Sequence, residues 1–75
     1  MPDHTLTEKI NVLLPHWLEH NQEHIAVMQT YLDALEQQGE TETTRTFAQA
    51  IARMDDVSAA LQTVIATLAI PATHR

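Results

Sequence analysis

Seventy-five residues make one domain at most, too short to bury much apolar surface, so a metal or a partner subunit is expected to add stability. With no cysteine, disulfides and thiolate sites are excluded and any metal must take nitrogen and oxygen ligands. A formal net charge of −6 disfavours nucleic acid and anionic membranes, and no apolar run reaches the roughly 20 residues that span a bilayer.

The start, Met1-Pro2-Asp3-His4, has neither the basic nor the apolar segment of a secretory leader, so a cytoplasmic location is expected. Residues 5–13 are predicted to form a short helix. Thr5 with Glu8 fits a capping box, and Leu6, Ile10, Leu13 and Leu14 share one side. Pro15 is expected to kink or break it from a long helix over about 15–38, where Leu14, Leu18, Asn21, Ile25, Met28, Leu32 and Leu35 step by four and three. Gly39 can take the left-handed conformation that closes a helix. A second long helix is predicted over about 42–69, capped by Thr41 or Thr43, with Phe47, Ile51, Met54, Ser58, Leu61, Ile65 and Leu68 in the same step. Pro71 ends it, and 71–75 is expected to be a loose tail.

A short connection makes the long helices antiparallel neighbours, so the fold class is all-α, a helical hairpin. Matching the stripes in order pairs Leu35 with Phe47, Ile25 with Ser58 and Asn21 with Leu61. One flank of that seam is polar, with Gln22, Gln29, Glu36, Asp55 and Gln62. The other carries Trp17, His24 and Tyr31 beside Ala50, Val57 and Val64. Residues 5–13 can cover part of this apolar flank, and a second copy the rest, giving a homodimeric four-helix bundle.

Five histidines are the compositional oddity. His16, His20 and His24 are spaced four apart, which places adjacent pairs on one helix face, and the string His-x-x-Glu-His occurs twice, through Glu19 and Glu23. Two imidazoles at this spacing can turn toward one ion, with carboxylate as supplement. His24 sits in the apolar flank and His20 beside it, and these two are the expected metal ligands, with His16 and Glu23 accessory. A dimer would bring two such pairs together. The same string is an inverted zinc-protease motif, but so small a chain supplies no third ligand or cleft for that chemistry. His4 offers a separate N-terminal site for Cu(II) or Ni(II) if Met1 is removed, because amine, amides and a third-position imidazole fit a square plane. His74 is expected to be incidental.

Other residues have structural explanations. Asn21 in the seam sets register and subunit count, Ser58 bonds its own preceding turn, and Met28 and Met54 fill the core. Trp17 and Tyr31 serve as interface anchors. No nucleophile with a base and no phosphate loop occurs, so an enzyme is not expected.

The segment Leu13-Leu14-Pro15-His16-Trp17-Leu18-Glu19-His20-Asn21-Gln22-Glu23-His24 resembles the motif L-L-x-H-W-[IL]-E-H-N-x-E-H of a family of small, uncharacterised prokaryotic helical domains. The resemblance covers nearly the whole chain and implies association with nickel or cobalt transport components. The chain departs from the family after the motif, with Val27, Met28 and Thr30 where members are rich in Glu, Lys and Ala. The expected function is metal handling or sensing with nickel, cobalt or zinc, alongside a metal-transport protein. The alternative is a protein-interaction module whose histidines line the interface, with a pH-dependent assembly as a third reading.

Overall fold

The structure is a computed structural model that describes residues 2–69, with side chains from residue 6 onward. Two helices make it up: α1, Pro2–Gln37, and α2, Thr41–Ala69. They pack as an antiparallel hairpin about 55 Å long. The expected all-α hairpin is the architecture, but the short N-terminal helix is not a separate element. Helix α1 continues through Pro15 without a break. Proline there removes the amide that would bond the Asn11 carbonyl. Asn11 and Pro15 both face solvent, so water can satisfy that carbonyl, while half-buried Ile10 and Leu14, 3% exposed, hold the helix to the seam on either side. Residues 5–13 therefore continue the axis of α1 and do not fold over the apolar flank. Thr5 lies inside the helix, whose first residue is Pro2. The tail 71–75, with His74, lies outside the described residues, as does the side chain of His4.

The turn is a Schellman closure. Gly39 has φ +76°, its amide donates to the Glu36 carbonyl at 3.1 Å, and the Glu40 amide donates to the Leu35 carbonyl at 3.2 Å. The Thr44 amide then donates to the Glu40 carbonyl at 2.8 Å, so Glu40 occupies the N-cap position of α2. The cap expected from Thr41 or Thr43 does not form. The Thr41 hydroxyl instead makes a long contact, 3.5 Å, back to the Gly39 carbonyl.

This tight turn corrects the predicted register. Asn21 Nδ2 donates to Ser58 Oγ at 2.8 Å and to the Met54 carbonyl at 2.8 Å, so Asn21 faces Ser58 and not Leu61. Ser58 turns its oxygen across the seam, where the sequence suggested a bond to its own preceding turn. Counting outward from that rung, Ile25 meets Met54, Met28 meets Ile51, Leu32 meets Phe47 and Leu35 meets Thr44. In the other direction Leu18 meets Leu61, Leu14 meets Ile65, and Ile10 comes level with the end of α2. The index sum is constant and centres on the Gly39–Glu40 turn. Burial agrees with it. Both ends of the series, Ile10 and Thr44, are drawn out of solvent with the two stripes. Leu14, Leu32, Ile51 and Ser58 are the buried side chains among the described residues. Thr44 at the first rung carries a buried hydroxyl that finds no partner there.

Candidate metal centre

The seam of α1 leaves a second stripe uncovered. Leu13, Trp17, His20, His24, Val27 and Tyr31 step by four, three, four, three and four, lying roughly 100° round the helix from the seam at 3.6 residues per turn. None of the six is an acidic residue, a lysine or an arginine. All are exposed: Trp17 at 48%, Val27 at 55% and Tyr31 at 63% are large apolar surfaces left open to water. Across the flank, Val57 and Val64 of α2 are 48% and 42% exposed, and Ala50 is exposed as well. The predicted interface set thus occupies one continuous face, with His24 between the Trp17 and Tyr31 rows.

On this face the rings of His20 and His24 stack, with centroids 4.5 Å apart and planes inclined by 26°. The helix produces the pairing, since positions four apart lie one above the other. Two nitrogens on one tetrahedral ion stand about 3.3 Å apart at ordinary zinc–nitrogen distances. The stacked rings direct their in-plane lone pairs alongside one another, so the side chains must rotate before two nitrogens converge on one ion. His16 and Glu23 do not complete a site. They lie further round α1 toward solvent, and among the described residues no three His, Asp or Glu side chains gather into a group able to hold an ion. One copy therefore presents two neighbouring imidazoles and, among the described residues, no third donor gathered with them.

Sequence reasoning missed the pairing of Asn21 with Ser58, one rung from the histidines. The signal was available: Asn21 and Ser58 are the polar members within the two apolar runs, and two polar side chains are cheapest to bury against each other.

Fold and face together define a small helical hairpin with an uncovered apolar-and-histidine flank. The chain belongs to the family described as Domain of unknown function (DUF8180), whose model matches residues 10–68. No curated protein and no solved structure matches the chain. Among the described residues no helix is long and apolar enough to cross a membrane.

Proposed function

We propose that this hairpin is a non-enzymatic metal-binding protein acting in the handling or sensing of nickel, cobalt or zinc in the cytoplasm, with His20 and His24 as its protein ligands. The observation that carries this is the stacked pair itself: two exposed imidazoles 4.5 Å apart on a rigid helix. Imidazole suits all three ions, and without cysteine there is no soft ligand set for copper(I). His16 and Glu23, further round α1 toward solvent, are accessory. A metal-transport protein is the partner this role calls for.

Calorimetric titration of metal-free protein with Ni(II), Co(II) and Zn(II), beside a His20→Ala/His24→Ala variant, tests the proposal. Wild type should bind at least one ion at a Kd of about 1 μM or below, and the variant should lose this binding. Wild type that binds none of the three, or a variant that binds as well as wild type, overturns it.

A second reading is favoured by the open flank: a module that docks a protein partner through Trp17, Tyr31, Val57 and Val64. It requires no metal, so partner binding that survives the His20→Ala/His24→Ala change separates the two.

A further inference from the structure

We propose that the histidine pair is half of a site completed by a second copy of the chain. The two copies pair through α1 against α1, antiparallel, about a two-fold axis passing between His20 and His24. The inference rests on the metal-binding reading and adds to it an occupant, a register and a stoichiometry.

Three observations lead to it. The first is area. A compact monomer of 8.4 kDa exposes about 4,600 Å², whereas the hairpin exposes 5877 Å². The excess, on the order of 1,300 Å², exceeds the about 800 Å² that each partner gives up in a standard interface.

The second is the stripe. In an antiparallel helix pair the rungs keep a constant index sum, as the seam of this hairpin does. A sum of 44 sets His20 against His24 of the partner subunit and His24 against His20 of the partner subunit. It then sets Trp17 against Val27 of the partner subunit and Leu13 against Tyr31 of the partner subunit, large beside smaller at each rung. The alternative symmetric registers, with sums of 37 or 51, put the histidines opposite apolar residues. Of the three, only the first brings four imidazoles into two adjoining rungs.

The third is the hairpin register, which was fixed without reference to any dimer. The Asn21–Ser58 rung puts the midpoint of His20 and His24 level with Val57 of α2. The same axis therefore passes through Val57, and Val64 falls opposite Ala50 of the partner subunit. One axis centres both helices' exposed rows at once. Helix α1 forms the closer contact, because the matching row of α2 is interrupted by Arg53, which is ion-paired with Asp56 at 3.1 Å. All neighbouring helices in the resulting bundle are antiparallel, which aligns opposite helix dipoles.

The test uses the whole chain with Co(II) as probe, because four-coordinate cobalt gives a strong visible absorption. Sedimentation should show a dimer, and the absorption should saturate at one Co(II) per two chains. Single-cysteine variants Leu13→Cys and Tyr31→Cys, mixed and oxidised, should cross-link to each other and not to themselves. Val57→Lys places like charges on the axis and leaves the seam and both histidines alone. It should be monomeric, keep its helical circular dichroism, and bind Co(II) at least tenfold more weakly. A wild type that remains monomeric and binds one Co(II) per chain overturns the shared site while leaving the metal-binding function standing. A dimer that fails to cross-link between positions 13 and 31, or a monomeric Val57→Lys that binds as tightly as wild type, also overturns it. A dimer that takes up no metal overturns both.

Discussion

Asn21 and Ser58 each interrupt an apolar stripe, and they interrupt it at the same level. Asn21 Nδ2 serves two acceptors, the Ser58 hydroxyl and the Met54 carbonyl, each at 2.8 Å. That carbonyl is the one the Ser58 amide uses within α2, so the contact ties α1 to one particular turn of its neighbour. A one-turn slip of the hairpin would leave a buried amide opposite leucine. Asn21→Ala should cost about 1–3 kcal/mol, since it removes the donor and strands the Ser58 oxygen. Asn21→Leu with Ser58→Ala should restore most of that stability and lose register specificity. Urea denaturation of the single and double variants at fixed concentration measures both, and full additivity of the two changes would contradict the pairing. The histidines were legible at this scale because a spacing of four has one meaning on a helix. The Asn21–Ser58 pair was not, because a register role for Asn21 names no partner and the rung that joins it to Ser58 depends on the turn.

At the scale of elements, the turn and the proline decide what periodicity left open. Gly39 at φ +76° lies in the left-handed region, and a side chain there would meet nothing within 4 Å. The penalty for replacing it is therefore one of backbone conformation. Gly39→Ala should cost about 1 kcal/mol, and Gly39→Asn less, read as thermal midpoints. Equal midpoints for Gly39→Ala and wild type would show that the turn adopts another form. Pro15 is the opposite case, a residue that opposes the element it sits in. Pro15→Ala restores one hydrogen bond to Asn11, so it should stabilise the chain by at least about 1 kcal/mol of the roughly 3 that an interior proline costs. A lower midpoint for Pro15→Ala would mean that proline constrains the unfolded chain more than it weakens α1. The two long periodic segments were legible from the sequence because burial alone dictates them. The break at Pro15 was not real, because tertiary anchoring by Ile10 and Leu14 outweighs one missing bond.

For the whole molecule, the consequence of a two-helix fold is that it can bury only one stripe per helix. Helix α1 has two. The first meets α2, and the second, from Leu13 to Tyr31, remains exposed with the histidine pair within it. The unequal flanks were readable from the sequence. The correct register was not, since it depends on a three-residue turn whose hydrogen bonds no periodicity encodes, and an error of one rung shifts which residues lie level across the hairpin. With the register fixed, the histidine pair and Val57 share a level, and structure and chemistry converge on one point of the flank.

The most direct measurement is a visible-absorption titration of the metal-free protein with Co(II), run in parallel on the His20→Ala/His24→Ala variant. Wild type should give an intense four-coordinate band that rises linearly to one Co(II) per two chains, and the variant should lose it. The absence of any such band in wild type, or the same band in the variant, would contradict metal binding by this pair.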